Sequence, residues 1–435
     1  MSLHEPTDEG VGSGRPGRRL PLRIGLISAH GPHRPTAMSG VPYHMKLAME
    51  EYGCTVIPLS HQDEQPSTSL TTRVQRRVRS AASRLMTHLT GRIPRRHPSA
   101  IEADLRQRAG QLADRIDQVR PDVLFGHCIS TALYGLNTDI PIVYGTDLTA
   151  ALALSMYPNQ RSAPAAHQEH RHRVEQAAFD RSVHAVLTTE LARRSAIEDY
   201  GMDEDRAHTV PLGANIVPTD ESDVHPTPPD TDELSLCIIA ADPVRKRVDF
   251  TIEIVEALNT MGWRARLTHI GRPTSRGERS PLVTCAGMLK LGDPHDTEQC
   301  RAILKASHLF VLPSLAEPFG IAPCEASHFA VPSVVSDSGG LAEVVQHNET
   351  GLVLPVNASA LLYAQAIDAL ARDRDRYVHL AEAARRRAVT VYDWSQWAAR
   401  VLPILADAAG YATGRANTAS ADNHSAPSPS PVREP

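Results

Sequence analysis

The chain has 435 residues, with 45 Lys plus Arg against 50 Asp plus Glu and a formal net charge of −5. That length exceeds one ordinary domain and predicts two, while so mild a charge carries no nucleic-acid footprint. Hydrophobic residues make up 41% and aromatics only 4%, so Ala, Leu, Val and Ile must build the cores. Arg far outnumbers Lys, which reads as the codon bias of a GC-rich bacterial genome rather than as function.

Residues 1–21 are polar with Gly and Pro and lack an apolar segment, which predicts a disordered N-terminus and no secretory signal. No run of about 18 apolar residues occurs, so a cytoplasmic protein is expected. Leu22–Ser28 reads as the first strand. The loop Ala29–Ser39 is long for a strand-to-helix connection, a mark of function. Val41–Tyr52 is an amphipathic helix closed by Gly53, and Thr55–Leu59 the next strand. Between Arg73 and Arg96 arginines crowd without any acid, and Val74, Val78, Ala82, Leu85 and Leu89 recur at helical spacing. This basic amphipathic helix has three open readings: a solvated face, a site for a phosphorylated acceptor, or peripheral contact with an anionic membrane through Arg73, Arg76, Arg77 and Arg84.

Helix and strand then alternate. Ile101–Val119 is helical, Asp122–Phe125 a strand ending at Gly126-His127, and Ile140–Tyr144 a strand ending at Gly145-Thr146-Asp147. His167–Asp180 is a helix; Ala185–Thr188 and His208–Pro211 are short strands. Pro218–Asp232 reads as a linker. A second series follows: strands at Leu234–Ala240, Arg264–Ile270, Leu282–Cys285, Leu309–Leu312 and Ser333–Val335; helices at Phe250–Met261, Asp296–Ala306, Ile321–Phe329 and Leu341–Gln346. Ala358–Ala388 is helical in two pieces, Trp394–Ala409 is the last helix, and the Ser/Pro-rich tail after Gly410 is expected to be disordered. This alternation predicts an α/β protein of two Rossmann-like domains with parallel sheets. Residues 22–217 and 234–393 would be the domains, 218–233 the linker, 394–410 a closing helix and 411–435 the tail.

The densest chemical signal is Pro313-Ser-Leu-Ala-Glu317-Pro-Phe-Gly320-Ile-Ala-Pro-Cys-Glu325. An apolar strand runs into a Pro-Phe-Gly turn and then a helix, whose free N–H groups make an anion site. A glutamate at each end can accept hydrogen bonds from two sets of hydroxyls on one ligand. A ligand with phosphates in the middle and hydroxyls at both ends is a nucleotide sugar.

The spacing Glu317-x7-Glu325 resembles the signature of retaining glycosyltransferases of family four, which have the GT-B fold. Three further segments are similar to that family in the same order: Ser39-Gly40-Val-Pro-Tyr-His, Val210-Pro-Leu-Gly213-Ala-Asn215, and Val335-Ser-Asp-Ser-Gly339-Gly340-Leu-Ala-Glu343 with Gly351-Leu-Val. The resemblance covers roughly residues 22–405. It implies two facing domains with a cleft between them, and transfer of a hexosyl group from a nucleoside diphosphate sugar, UDP- or GDP-linked, to an acceptor hydroxyl with retention.

It also implies roles for single residues. Glu325 would hold the ribose hydroxyls and Glu317 those of the hexose. The N–H groups of Phe319, Gly320 and Ile321 would line the sugar and phosphate, and Gly40 would offer its N–H to the phosphate. Lys246 matches the family's pyrophosphate lysine. The usual second basic residue falls where this chain has Ala240 and Ala241, which leaves Arg245 as its replacement. His127 would contact the donor sugar near the reacting centre, and Asp147, at the next strand end, would bind an acceptor hydroxyl or cap a helix. No metal and no cofactor are expected. His167, His170 and His172 are expected on a solvated helix face, and the cysteines, none in a Cys-x-x-Cys pair, as buried small hydrophobes. Oligomeric state is not readable. An epimerase or phosphorylase on the same fold, and a non-catalytic sugar-nucleotide-binding protein, stand as alternatives.

Overall fold

The computed structural model describes residues 21–29, 31–60 and 97–410. The arginine-rich segment 73–96, most of the N-terminal stretch 1–21 and the tail 411–435 lie outside the described residues. Two parallel six-stranded sheets organise the rest. The first contains β1 (Arg23–Ser28), β2 (Thr55–Ser60), β3 (Val123–His127), β4 (Ile142–Thr146), β5 (His184–Leu187) and β6 (Ala207–Thr209), in the order β2-β1-β3-β4-β5-β6. The second contains β7 (Glu233–Ala240), β8 (Arg264–Gly271), β9 (Val283–Gly287), β10 (Leu309–Leu312), β11 (Ser333–Ser336) and β12 (Gly351–Leu354), in the order β12-β11-β10-β7-β8-β9.

The strands form where apolar runs are bounded by turn residues. β3, β4, β10 and β11 are buried at every position, the pattern of parallel strands covered on both faces. In each sheet the strand order reverses once, between β1 and β3 in the first and between β7 and β10 in the second. Such switch points leave a crevice at the carboxyl ends of the strands. The end of β3 and the segments after β1, β4, β7 and β10 are the ones that carry the expected site residues.

The last helix, Trp394–Ala408, leaves the second sheet and packs on β3, β4 and β5 and on the helix Val41–Glu51. Trp397 is fully buried with its ring 5.9 Å from that of Phe125, and Trp394 stacks on His44 at 5.8 Å. Gly213 is required at this crossing, because a Cβ there would lie 2.6 Å from the Trp394 backbone nitrogen.

Several expectations need correction. The helices Ala150–Met156 and Glu190–Glu198 and strand β12 were not read from the sequence. Leu341–Gln346 is helical only to Val344. His170 is not on a solvated face: it is buried and pairs with Glu102 at 3.2 Å across the packed helices Pro98–Val119 and Ala165–Asp180. Cys285 is exposed because β9 is an edge strand, and Cys128 is half-buried at the cleft; the other cysteines are buried.

Candidate active site

The turn after β10 is built for close approach. Gly320 has φ 100° and starts the helix Ile321–His328, and a Cβ on it would stand 2.6 Å from Leu341 Cδ2. Only glycine takes that conformation without strain. Phe319 is buried beside Tyr392, with ring centroids 6.1 Å apart, which pins the turn from behind. Glu317 therefore stands at a defined place on the cleft wall.

Both basic residues after β7 converge on it. Arg245 Nη1 donates to Glu317 Oε2 at 2.9 Å and also to the Ala316 carbonyl. Lys246 Nζ lies 3.7 Å from the same oxygen and donates to the Ile239 carbonyl at 3.1 Å. Ser314 adds a long hydroxyl contact at 3.4 Å. The two cations thus flank the switch point of the second sheet, where an anion would meet them together with the helix N-terminus.

Opposite, His127 and Asp147 stand at the ends of neighbouring strands of the first sheet. With Glu317, Phe319, Gly320 and Ile321 they line one cavity of about 270 Å³. Burial pushes the His127 imidazole below its usual range, against the pull of Asp147. Asp147 does not cap a helix: Thr149 caps Ala150–Met156, and the Asp147 carboxylate accepts from Cys128 Sγ at 3.2 Å. Sequence reasoning missed Cys128 as a wall of this cavity, and it missed Tyr157. The Tyr157 phenol is pushed up to about 12 by burial, with Arg245 opposing, and it also feels Glu317 and Asp147. A tyrosine just past a helix of small residues gives no local sign that it comes near these charges.

Four expected residues are not on the cavity wall: Arg245 and Lys246, which meet Glu317, and Gly40 and Glu325. Gly40 is buried at the start of Val41–Glu51 with φ 81°, following Met38 and Ser39 at φ 49° and 55°. Its neighbours Met38, Ser39 and Val41 line the cavity instead. Glu325 is only 3% exposed. Burial pushes its carboxyl up to about 8, against Lys246 and hydrogen bonds from the Asn215 and Ile216 backbone.

The two halves touch around this cavity. The Glu343 carboxylate accepts from the backbone N–H groups of Glu190 and Leu191, at 2.6 and 2.8 Å. A Cβ on Gly292 would meet Pro35, and one on Gly339 would meet Met156. These contacts join the two halves across the cleft.

Residues 221–387 match the family described as glycosyl transferases group 1. Over 255 residues the chain is 27% identical to the alpha-maltose-1-phosphate synthase of Mycolicibacterium smegmatis, covering 53% of this chain and 65% of that protein. Over 211 residues it is 29% identical to the D-inositol 3-phosphate glycosyltransferase of Nocardia farcinica, covering 44% and 45%. The chain thus spans less than two thirds of either relative. Among solved structures, sucrose-phosphate synthase from Thermosynechococcus elongatus superposes with a TM-score of 0.62 at 17% identity, covering 87% of this chain and 96% of that one. That likeness shows the fold.

Proposed function

From the premise that this chain is a group 1 glycosyl transferase with the GT-B fold, we propose that it moves a hexosyl group from a nucleoside diphosphate sugar to an acceptor hydroxyl, with retention at the anomeric carbon. The observation that carries the reading is the meeting of Arg245 and Lys246 on Glu317, across one small cavity from His127 and Asp147. In this reading residues 22–217 are the acceptor-side domain and 234–393 the donor domain, joined by 218–233 and closed by 394–410.

The chemistry follows from charge. As the bond from the anomeric carbon to the diphosphate oxygen breaks, negative charge grows on the leaving group. In this reading Arg245 and Lys246, which meet on Glu317, stabilise it together with the N–H groups of Phe319, Gly320 and Ile321. Such preorganised donors each contribute about 100- to 1,000-fold in rate. Glu317, released from Arg245 by the incoming phosphates, accepts from hexose hydroxyls. His127 is neutral and donates or accepts beside the reacting carbon, and Asp147 orients the acceptor. Glu317 is occupied with hexose hydroxyls and no other carboxylate among the described residues is placed for a double displacement, so a front-face route is favoured, in which the leaving phosphate takes the acceptor proton. Glu325 meets the ribose only if the Asn215–Ile216 backbone moves aside, and Gly40 acts through the shape of its loop. No described helix is long and apolar enough to cross a membrane, and a cytoplasmic location fits the supply of nucleotide sugars.

The test is thermal stabilisation of wild type and Lys246→Ala by UDP, GDP, ADP and TDP in parallel. At about 100 dissociation constants a ligand adds roughly 2.7 kcal/mol to the native state. One diphosphate that shifts wild type and shifts the variant much less identifies the donor base and supports the site. No shift from any of them overturns the donor assignment. With the base known, an acceptor screen starts from phosphorylated polyols and sugars, since the two sequence relatives above carry phosphate in their names.

A further inference from the structure

Three side chains of the metal-binding kind converge on the first-domain wall of the cavity. His127 ends β3, Cys128 follows it, and Asp147 follows β4, the neighbouring parallel strand. One ligand atom from each lies within 4.8 Å of the other two. Cys128 reaches this position on a left-handed backbone, φ 56°, which turns it toward Asp147. His127 is 5% exposed and lines the cavity.

We propose that His127, Cys128 and Asp147 form a site for a divalent transition metal of the zinc class. An imidazole nitrogen, a thiolate and a carboxylate are the donor set that zinc takes, and three protein ligands leave a fourth position open, here toward the cavity. Bond lengths of about 2.0–2.3 Å in a tetrahedron put the donor atoms roughly 3.5 Å apart, so modest side-chain rotations close the site. The sulfur donor discriminates against magnesium and calcium, which prefer oxygen. Zinc binds Cys128 as the thiolate, and the displaced proton leaves to solvent. A metal here holds the His127 imidazole away from any sugar, so zinc acts on the cavity as a brake. The inference rests on the geometry of the three residues and not on the transfer reaction.

The experiment is equilibrium dialysis of the full chain against buffered micromolar zinc, with metal counted by atomic emission, for wild type, Cys128→Ser, Asp147→Asn and Cys285→Ser. Circular dichroism confirms that each is folded. The expected result is one zinc per wild-type chain. The two site variants should lose at least the roughly 10- to 100-fold affinity that an outer-shell partner is worth. Cys285→Ser, which removes the exposed thiol, should bind as wild type does. Cobalt(II) in place of zinc should give wild type a thiolate charge-transfer band that Cys128→Ser lacks. Folded wild type that retains no zinc overturns the proposal. So does undiminished uptake by Cys128→Ser, or loss of uptake in Cys285→Ser.

Discussion

Arg245 and Glu317 form an ion pair of 2.9 Å that joins the turn after β7 to the turn after β10. These are the two loops on either side of the second sheet's switch point. The pair holds a cation and a carboxylate in the crevice before any ligand arrives, and an incoming diphosphate competes with Glu317 for the guanidinium.

Removing the guanidinium tests its role directly. Arg245→Ala should lower kcat for donor consumption by about 100- to 1,000-fold, the usual cost of one transition-state stabiliser. Arg245→Lys should recover only part of it, because the shorter lysine reaches less far than Nη1, the one nitrogen that contacts both Glu317 and the Ala316 carbonyl. Steady-state kinetics on the three proteins read this, and wild-type kcat in Arg245→Ala would refute it.

Glu343 caps a helix that belongs to the other sheet. Its carboxylate serves the first N–H groups of Glu190–Glu198, beside Thr189, which caps the same helix through Ala192. Glu343→Ala should cost about 0.5–2 kcal/mol, as loss of an N-cap does. Because the contact spans the cleft, the variant should also show a larger radius of gyration in small-angle scattering. An unchanged radius with lowered stability would make the contact a local cap and not a latch.

Gly340 lies in the same contact with an ordinary φ of −82°. A Cβ there would stand 2.2 Å from the Pro318 carbonyl oxygen and 2.7 Å from Thr189 Cγ2. Gly340→Ala should therefore destabilise by about 1–3 kcal/mol through overpacking alone, seen as a lower melting temperature. Shortening the neighbour with Thr189→Ser should not rescue it, since the carbonyl remains.

Glu175 is buried, with Tyr144 donating to its carboxylate at 2.7 Å. Burial, opposed by that hydrogen bond, pushes its carboxyl from 4.5 to about 7. Between those values the native state keeps a proton that the unfolded chain has lost, so this group's contribution to stability falls as pH rises through the window and levels off above about 7. Glu175→Gln should flatten that part of a melting-temperature profile taken from pH 4.5 to 8. A variant profile parallel to wild type would sink the assignment.

Much of this molecule was legible locally. The strands were readable because buried parallel strands are continuous apolar runs cut by Gly, Pro and Asp. The helix Glu190–Glu198 was not, because its buried face is Ala192, Ser195 and Ala196, small residues with no hydrophobic stripe. β12 is only Gly351–Leu354, too short to separate from a loop. Cys285 was expected inside because cysteine behaves as a small hydrophobe, and an edge strand left it outside.

The sequence by itself determined the alternation of strands and helices, the sharp turn at Pro318–Gly320 and the residue types gathered around it. These depend on periodicity and backbone freedom over a few neighbouring residues. Only the tertiary structure decided which groups meet. It brought Arg245 onto Glu317 and gathered His127, Cys128 and Asp147 within reach of one another. It buried Glu325 under the Asn215–Ile216 backbone and laid Glu343 across the cleft. Such contacts are set by which strands lie side by side in a sheet and by how two sheets face each other, and no short window of sequence contains either.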